Sequence, residues 1–448
     1  MAIDIQAVKG TQDTLPRDSY KIRFLEQTIA DIAIKYGFGE IRTPVFEYTE
    51  LFSRSVGSTT DVVQKEMYTF EDRAGRSITL RPEGTAGAMR AFLEHGLYNE
   101  PMPQKVFYFT SCYRYEKPQA GRLREFHQFG AESFGTESPA ADAEIIGLAN
   151  EVFDFLGIKN LSLQLNSIGC PQCREKYHRA LKDYFKIEQS ELCGTCVDRL
   201  QKNPMRILDC KSPVCSQIAK DAPKMIDYLC EACNDHFDIV QKYLKEMCIE
   251  YEINPSIVRG LDYYTKTVFE FVSDEIGAQG TVCGGGRYDG LAEEIGGVHT
   301  PSLGFAMGME RLMLLIDAQN IELPREENCN LYIATTGEKA SLKAAQIAAD
   351  LRSEGVFVLF DVVGRSIKAQ MKYAGKIGAL YTVVIGDDEI KSGQAKLKNM
   401  ETGDLQDIKV ESIADDFSSI AMQDTVEKLS LDSNFDGIDL GSLLGGNL

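Results

Sequence analysis

The sequence lacks the apolar stretches that mark membrane and secreted proteins. Its first residues, MAIDIQAVKGTQD, contain no apolar leader core, and no run approaches the roughly 18 apolar residues that a membrane span requires. We therefore expect a cytoplasmic protein with no membrane partner. A chain of 448 residues, with 44% hydrophobic and 26% charged residues, has the composition of a globular protein of two or three domains.

Positive charge is also scarce. The chain has 48 lysines and arginines against 67 acids, which gives a net charge of -19. Phosphate contacts need positive potential, so this balance argues against a broad nucleic-acid-binding surface. It leaves room for local basic patches. One such patch is the segment CYRYEKPQAGRLREFHQFG at 112–130, which contains Arg114, Lys117, Arg122 and Arg124.

The common nucleotide-binding fingerprints are missing as well. The glycine run at 284–286 does not match a P-loop, and no Rossmann fingerprint occurs in the sequence. A β-hairpin formed by the basic segment would place Arg114 on one arm and Arg122 and Arg124 on the other, where they could hold phosphate oxygens. Phe126 would offer a flat face for a base. The alternative is a surface hairpin whose charges face water.

Two regions of the chain have different secondary-structure patterns. Up to about residue 320, strand-like segments follow one another as hairpins between helices, which predicts a mostly antiparallel sheet backed by helices. From residue 328, strand-like runs alternate with helical ones, which predicts βαβ crossovers and a small parallel-type sheet. The segment IELPREENCN between them is typical of a linker, so we predict an α+β chain with a larger first domain.

The C-terminal region carries a second basic patch. Its members are spaced to form one stripe on a helix with 3.6 residues per turn, and the segment 362–386 around them contains no acid. They are Arg365, Lys368, Lys372 and Lys376. A solvated helix face is the simpler interpretation, and the stripe matters only if the rest of the chain needs a nucleic acid.

Most of the 12 cysteines lie in one stretch, at about 168–250. Eight of them form three C-x-x-C pairs and one wider pair: Cys170, Cys173, Cys193, Cys196, Cys210, Cys215, Cys230 and Cys233. Because thiols stay reduced in the cytosol, this repeated spacing predicts one or two structural, tetrahedral Zn²⁺ sites. Buried cysteines without a ligand are the alternative. The isolated Cys112, Cys248, Cys283 and Cys329 are interpreted as structural.

Several motifs carry a resemblance to a known family. Over about residues 5–420 the chain resembles class II aminoacyl-tRNA synthetases. YGFGEIRTPVFEYTELF, with Pro44, is similar to their first motif, FTSCYRYEKPQAGRLREFHQFGAESFG to their second, and GFAMGMERL, with Arg311, to their third. VRGLDYYTKTVFEF and GGGRYDGL are similar to stretches that distinguish the histidyl-tRNA synthetases within that class.

This resemblance implies an architecture and a reaction. The expected parts are a catalytic domain at 1–325 with the cysteine-rich insertion at about 168–250, and an α/β anticodon-binding domain at 326–425. The expected reaction is ATP-dependent activation of L-histidine to histidyl-adenylate, with Mg²⁺, followed by transfer to the 3′ end of tRNA(His), in a homodimer. The family's commonest form lacks the cysteine pairs, so zinc is inferred from the residues alone. The acidic tail at 426–448 is expected to be disordered.

The resemblance also implies roles for individual residues. Arg114 and Arg259 would act in catalysis by gripping the α-phosphate from two sides. ATP would also be held by Glu116, Arg122, Phe126 and Arg311. Histidine would be held by Glu83, Thr85, Gln128, Glu132, Arg259, Tyr263, Tyr264 and Tyr288. Of these, Glu132 and Tyr264 would read the imidazole nitrogens, although core packing is the alternative for the three tyrosines. The stripe of Arg365, Lys368, Lys372 and Lys376 would contact tRNA phosphates.

Two other functions remain open from the sequence. A catalytically inactive paralogue that senses histidine and regulates an ATP phosphoribosyltransferase would keep the fold, but such proteins typically lack the C-terminal domain and the catalytic arginines. A zinc-organised nucleic-acid-binding module without catalysis would explain the cysteines and leave the arginines unused. Because Arg114, Arg259 and Arg311 are all present, we favour the synthetase.

Overall fold

The protein consists of two compact units. A computed structural model describes residues 5–57, 60, 62–208, 210, 212–257, 259, 261–277, 280–324 and 328–420. The first unit lies within Met1–Pro324 and the second within Arg325–Leu448. The tail predicted at 426–448 lies outside the described residues. Within those residues, no helix is both long and apolar enough to cross a membrane.

The first unit contains ten helices and eleven strands among its described residues. The helices are α1 Pro16–Lys35, α2 Thr49–Ser55, α3 Thr85–Glu94, α4 Pro139–Phe155, α5 Pro171–Ile187, α6 Gly194–Lys202, α7 Pro213–Ala219, α8 Glu231–Glu246, α9 Leu291–Ile295 and α10 Met309–Ala318. The strands are β1 Gly39–Glu40, β2 Phe46–Tyr48, β3 Tyr68–Glu71, β4 Ser77–Leu80, β5 Gln104–Tyr113, β6 Glu125–Phe134, β7 Ser162–Ser167, β8 Glu252–Ile253, β9 Thr265–Val272, β10 Thr281–Arg287 and β11 Ser302–Gly308. Shorter turns of helix are Val62–Glu66, Leu97–Asn99, Pro204–Ile207 and Met225–Tyr228.

An eight-stranded sheet forms the centre of the first unit, in the order β1-β5-β6-β11-β10-β9-β7-β8. The six central strands pair antiparallel, and only the edge strands β1 and β8 pair parallel to their neighbours among the described strands. The prediction of a mostly antiparallel sheet is therefore confirmed. A separate three-stranded sheet has the order β2-β4-β3.

Helices cover one face of the large sheet. In α1, Leu25, Ile29 and Ile32 are buried, at the spacing that lines up one helical face, and the chain turns away at Gly37 with a φ of 81°. These residues share one apolar core with α4, α8 and α10. The alternate residues of β5, Val106 and Tyr108, belong instead to a second apolar core that includes Ala88, Met89 and Phe92 of α3.

Two segments of the first unit differ from what their sequences suggest. The sequence SIVRGLDYYTKTVFEFVSD at 256–274 predicts one strand, but β9 begins only at Thr265. The glycine run at 284–286 was not recognised as a strand, yet it lies in β10 at the centre of the sheet. A Cβ on Gly285 would lie 2.2 Å from the carbonyl oxygen of Gly304, so the close approach of β10 and β11 requires glycine.

The second unit is a smaller α/β structure. Its strands are β12 Leu331–Thr335, β13 Val358–Phe360, β14 Tyr381–Ile385, β15 Gln394–Asn399 and β16 Leu405–Lys409, and its helices are α11 Glu338–Ser353, α12 Ile367–Lys376 and α13 Asp387–Ser392. The sheet order is β13-β12-β14-β15-β16. The first three strands are parallel and the last two antiparallel, so the sheet is mixed rather than purely parallel.

Candidate active site

A cavity of about 580 Å³ lies in the first unit, against the large sheet. Its walls come from the β5–β6 hairpin, the start of α3, Leu261, Tyr263 and Tyr264, strands β10 and β11, and the start of α10. Arg114, Arg259 and Arg311 all line it, although they are far apart in the sequence. The fold therefore concentrates three guanidinium groups around one volume large enough for a nucleotide.

Arg114 and Arg259 are held by neighbours that leave their charge facing the cavity. Arg114 donates from Nε to the carbonyl oxygen of Pro82 at 2.8 Å and lies over the ring of Phe126 at 5.1 Å. Arg259 pairs with Glu270 and lies over the ring of Tyr264 at 5.3 Å. Burial disfavours the charge of Arg259, but the two partners outweigh it and raise its pKa above the ordinary value.

Glycine makes room for one of these side chains. A Cβ on Gly284 would lie 2.7 Å from Nη1 of Arg259. Strand β10 thus presents a bare backbone beneath the guanidinium group. This gives the glycine run a role in the site as well as in the sheet.

Arg311 completes the cationic lining. It donates to the carbonyl oxygens of Gly121, at 3.4 Å, and Thr281. Burial and the nearby positive charges of Arg122 and Arg114 lower its pKa from the ordinary value. Such crowding of cations is unfavourable without an anion, so the site is suited to a polyphosphate.

The basic hairpin divides its charges between two tasks. Glu116, Arg122 and Phe126 line the cavity, and Arg122 pairs with Glu116 at 2.6 Å. Arg124 instead lies over the ring of Tyr115 at 4.0 Å, and its backbone N–H donates to Gly10. The hairpin predicted from the sequence is present, but Arg124 holds the N-terminal segment and is not among the residues that line the cavity.

The residues expected to bind the amino-acid backbone lie at the start of α3. Glu83 accepts hydrogen bonds from the backbone N–H groups of Thr85, at 2.7 Å, and Ala86, at 2.9 Å. Burial raises the pKa of Glu83. Gln128 lines the cavity beside them. This end of the cavity thus combines a carboxylate, a hydroxyl and an amide, which suit an ammonium and a carboxylate group.

Glu132 lies beneath the cavity floor and is fully buried. Its carboxylate accepts hydrogen bonds from Thr85 Oγ1 and Tyr108 Oη, both at 2.8 Å, and from Tyr288. Burial raises its pKa to about 8. Glu132 is therefore one layer below the residues that line the cavity, and it reaches that space through Thr85 and Tyr288.

Three tyrosines form one wall. The rings of Tyr263 and Tyr264 are 4.7 Å apart, and those of Tyr263 and Tyr288 are 5.4 Å apart. All three are buried and also line the cavity. They accordingly belong both to the core and to the site.

Sequence reasoning missed several polar residues of the cavity. Glu270, which pairs with Arg259, interrupts the apolar strand TVFEFV, and a charge at such a position was the signal available. Glu310 lines the cavity and lies 2.8 Å from Nδ1 of His127. Arg206, which lines the cavity, and Tyr108, which donates to Glu132 below it, gave no comparable signal, because their contacts come from distant parts of the chain.

The eight predicted ligand thiols form two separate groups in the structure. The first thiol cluster is Cys170, Cys173, Cys230 and Cys233, and the second is Cys193, Cys196, Cys210 and Cys215. In each, the sulfur atoms all lie within 4.8 Å of one another. Tetrahedral Zn²⁺ with bonds of about 2.3 Å separates its sulfurs by about 3.8 Å, so both clusters fit this ion. The sequence left the pairing open.

Local hydrogen bonds favour the thiolate of one cysteine in each cluster, whereas burial raises the pKa of Cys173, Cys233, Cys196 and Cys210. Burial opposes ionisation of Cys170, but the backbone N–H of Cys173 and nearby thiols lower its pKa to about 7. The backbone N–H of Cys196 lowers the pKa of Cys193 to about 7. Backbone N–H groups also donate to Cys173 Sγ, at 3.0 Å, and to Cys215 Sγ, at 3.2 Å. Both clusters thus have the second-layer hydrogen bonds that support metal thiolates.

The four isolated cysteines differ from this set. Cys112, Cys283 and Cys329 are buried, and burial raises the pKa of each. Cys248 is exposed, so a buried structural role does not apply to it.

The basic stripe of the second unit is only partly formed. Lys368, Lys372 and Lys376 lie on α12 and are exposed. Arg365 precedes the helix, pairs with Asp361 at 2.8 Å and lies over the ring of Tyr373 at 4.5 Å. The stripe on α12 therefore consists of three lysines. The expectation that no acid would pair with the stripe was wrong for Arg365, because Asp361 lies just before the acid-free segment.

Comparison with known proteins agrees with this geometry. The family model described as histidyl-tRNA synthetase matches residues 10–173 and 207–312, and that of an anticodon binding domain matches 330–420. The chain belongs to the histidyl-tRNA synthetase family. The histidyl-tRNA synthetase match leaves out 174–206, which contain Cys193 and Cys196.

Similar proteins span nearly the whole chain. A histidine–tRNA ligase of Clostridium perfringens is 55% identical over 91% of this chain and 97% of its own length. A histidine–tRNA ligase of Acetivibrio thermocellus is 53% identical, with 91% and 98% coverage. The crystal structure of apo S. aureus histidyl-tRNA synthetase has a TM-score of 0.79 at 38% identity, covering 92% of this chain and 99% of that one. These likenesses confirm the α+β fold class predicted from the sequence.

Proposed function

We propose that this protein is a histidine–tRNA ligase that activates L-histidine with ATP and transfers it to the 3′ end of tRNA(His). The observation that carries the proposal is the meeting of Arg114, Arg259 and Arg311 in one cavity beside three tyrosines. Nothing in the site or in the comparisons favours a regulatory protein of an ATP phosphoribosyltransferase. In a zinc-organised nucleic-acid-binding module, these arginines would have no task.

The arginines fit the activation step. The histidine carboxylate attacks the α-phosphorus of ATP, and pyrophosphate leaves with the electron pair of the broken P–O bond. Arg114 and Arg259 would neutralise the charge that builds on the α-phosphate, and Arg311 would hold the γ-phosphate end. Mg²⁺ would accompany ATP, and Glu310 offers a carboxylate of the kind this ion prefers.

The hairpin would hold the rest of the nucleotide. Phe126 would stack on the purine, and its ring is already oriented by Arg114. Glu116, paired with Arg122, would contact the adenine or ribose. This arrangement positions ATP without the fingerprint motifs that the sequence lacks.

Selection of histidine would depend on polar groups around the tyrosine wall. Glu83, Thr85 and Gln128 would hold the amino and carboxylate groups. Glu132 and Tyr264 would read the ring nitrogens, Glu132 acting from below through its hydrogen-bonded hydroxyls. A site that satisfies two ring nitrogens rejects analogues lacking them by roughly 10⁴-fold, so no editing step is needed.

The two thiol clusters would each hold one Zn²⁺ with a structural role. Four thiolates close the coordination shell, so neither ion would contact substrate. Metal analysis of purified protein should find two zinc ions per chain. A value below one would reject the zinc assignment while leaving the ligase activity untouched. Because these thiols must stay reduced, we place the protein in the cytoplasm.

The second unit would bind the anticodon arm of the tRNA. The three exposed lysines of α12 suit phosphate contacts that position RNA without reading its sequence. Changing Lys368 and Lys372 to Glu should weaken tRNA binding by about tenfold. This loss of affinity should become larger as the salt concentration falls, because phosphate contacts dominate such binding. ATP–pyrophosphate exchange should be unchanged in the same variant.

The three-stranded sheet offers a surface for a homodimer. Phe46, Tyr48 and Phe70 are exposed, and the strand register places them on one face around Ile78. An apolar face of this kind is typical of an interface between copies. Sedimentation should find a dimer, and Phe46→Glu with Tyr48→Glu should yield a monomer.

One assay tests the central proposal. ATP–pyrophosphate exchange measured with each of the twenty amino acids should respond to histidine alone. Failure of histidine to stimulate exchange would contradict the ligase and would revive the regulatory alternative. Charging of tRNA(His), measured next, completes the test.

A further inference from the structure

The cysteine-rich insertion reaches the tyrosine wall through an arginine beside its first thiol cluster. Arg174 follows Cys173 directly in the sequence. Its Nη1 donates to the carbonyl oxygen of Tyr264 at 3.1 Å. Arg174 therefore ties the backbone of the tyrosine segment, residues 261–264, to a predicted metal ligand.

The same cluster is joined to the chain just after the tyrosine segment. Lys266 donates from its backbone N–H to the carbonyl oxygen of Gly169 at 3.0 Å and accepts from the N–H of Ile168 at 2.8 Å. Gly169 directly precedes Cys170. Lys266 has a φ of 46°, an uncommon backbone conformation for a residue with a side chain, so these two hydrogen bonds fix a constrained turn.

A second arginine joins the tyrosine segment to the other thiol cluster. Arg206 lies four residues before Cys210 and pairs with Asp262 at 2.9 Å. Asn203 donates to the same carboxylate at 3.4 Å. The exposed fractions of the Arg206 and Asp262 side chains are 15% and 27%, so the pair is only partly screened by water.

Apolar packing follows the same route. Met205 packs against the core that contains the three tyrosines and also against the core that contains the cysteines. Ile168 belongs to the tyrosine core, two residues before Cys170. The tyrosine segment is thus contacted from both thiol clusters, by hydrogen bonds, an ion pair and side-chain packing.

We propose that Arg174 and Arg206 are positioning residues for histidine, and that metal binding at the two thiol clusters sets histidine affinity through them. Neither arginine needs to contact the reacting atoms. With the insertion folded around its metals, the tyrosine segment is held in its binding conformation before histidine arrives. With the metals removed, histidine must itself order that segment. The apparent affinity for histidine is then the affinity of the preorganised protein multiplied by the fraction of molecules that are preorganised.

This inference rests on the proposed ligase function. It concerns the histidine half of the cavity, because Arg114 and Phe126, which would hold the nucleotide, are positioned by the β5–β6 hairpin and not by the insertion. A selective effect on histidine is therefore the signature that separates positioning from general loss of stability.

The first experiment measures exchange kinetics in variants. Arg174→Ala, Arg206→Ala and Asp262→Asn should each raise the KM for histidine about tenfold, the loss expected for a hydrogen bond to a charged group. The KM for ATP should change by less than about twofold. Arg179→Ala is the matched control, since Arg179 lies on α5 and makes an exposed pair with Glu175. It should match the parent in both constants.

Asp262 distinguishes positioning from direct contact. Arg206 also lines the cavity, whereas Asp262 is not among its lining residues. If Arg206 acts through Asp262, the single variants should have equal effects and the double variant no more than either. Arg206→Lys should recover part of the affinity, because a lysine can still pair with Asp262. A normal KM for histidine in Asp262→Asn, beside a raised one in Arg206→Ala, would overturn the positioning role.

The second experiment tests the link to metal by calorimetric titration of histidine. Zinc-loaded parent protein should bind histidine about tenfold more tightly than protein from which zinc was removed. In the Arg174→Ala, Arg206→Ala double variant, loaded and depleted forms should bind equally and weakly, with zinc content unchanged. Equal histidine affinity of loaded and depleted parent protein would overturn the inference. Loss of histidine-dependent exchange in loaded parent protein would instead refute the proposed ligase function.

Discussion

The active-site cavity and the cysteine-rich insertion use polar side chains differently. In the cavity, arginines are held by carbonyl oxygens, aromatic rings and Glu270, and they face an open volume of about 580 Å³. In the insertion, eight thiols face one another in two closed groups. The first arrangement keeps charge available for a ligand, and the second commits its polar groups to the fold.

The cores beneath the two regions explain this difference. Among the described residues, the core under the sheet contains 34 buried residues, of which Cys283 alone is a cysteine. Counted in the same way, the insertion core contains 12, and four of these are cysteines. A small core buries too little apolar surface to be stable alone, so small domains often depend on metals. The cavity therefore rests on a large apolar core, whereas the insertion has a small core and two groups of thiols that could hold a metal ion.

Breaking one thiol cluster should have the largest effect. Cys173→Ser removes a ligand whose side chain is fully buried, and we expect loss of one zinc per chain and destabilisation of the insertion by about 3 kcal/mol or more. Hydrogen exchange should increase over α5 and α8 and stay slow in β5 and β6. Cys248→Ser is the control, since Cys248 is exposed. Unchanged metal content in Cys173→Ser would remove the basis of the comparison.

A substitution in the cavity should instead lower activity and leave metal content and stability unchanged. Arg114→Ala should lower kcat/KM of exchange by about 10²–10³-fold, because a donor to developing charge is lost. Zinc content and the melting temperature should stay close to those of the parent. Arg73→Ala, in an exposed turn, should leave kcat/KM unchanged. A large fall in melting temperature for Arg114→Ala would mean that the arginine belongs to the fold.

A pair of glycine substitutions compares packing in the two regions. A Cβ on Gly304 would lie 1.7 Å from Oε2 of Glu132 and 2.6 Å from the carbonyl oxygen of Ala131. Gly304→Ala should therefore destabilise the protein by about 1–3 kcal/mol in denaturant unfolding. Gly194 in the insertion has nothing within 4 Å, so Gly194→Ala should stay within about 0.5 kcal/mol. Equal effects would contradict the tight packing of β11.

Stability should also depend on pH through the buried Glu132, and this is the smallest of the four predicted effects. Burial raises the pKa of this carboxyl from 4.5 to about 8, so the folded protein retains a proton that the unfolded chain releases. This stabilising contribution is complete below pH 4.5 and is lost as the pH rises through 8. The melting temperature of ligand-free protein should fall by about a few degrees between about pH 6 and pH 8.5.

Replacement of the Glu132 carboxyl tests how much this group contributes to the fall of the melting temperature with pH. Glu132→Gln should reduce the fall, because the amide does not titrate. Glu275→Gln, at an exposed carboxyl, should keep it. An unchanged slope in Glu132→Gln would show that other groups cause the pH dependence.

Sequence patterns were sufficient where one local period dominates. The apolar spacing in α1 and the alternation in the β5–β6 hairpin are those of a helix and of paired strands, and Arg114, Arg259 and Arg311, which the resemblance grouped together, line one cavity. Strand β10 was missed because glycine favours strands poorly, and only its neighbour β11 explains it. The sequence of 256–264 looks strand-like, but Tyr264 and Asp262 are bound by Arg174 and Arg206 of the insertion, and β9 begins only at Thr265.

Contacts between segments that are distant in the sequence could not be predicted from the spacing of residues. The sequence identified all eight clustered cysteines but not their pairing, since Cys170 and Cys173 meet Cys230 and Cys233 only through the fold. The depth of Glu132 is likewise set by three hydroxyls from three different segments. The place of Arg365 outside α12 follows from its bond to Asp361, which competes with the helical stripe.

The position of Phe126 against Arg114 has a practical consequence for spectroscopy. The chain contains no tryptophan, so an indole introduced at one site would be the sole source of red-edge fluorescence. Phe126→Trp would place that fluorophore beside the Arg114 guanidinium group, at the ring on which the purine would stack. Its emission would then report nucleotide arrival and departure in real time, without a label or a coupled assay.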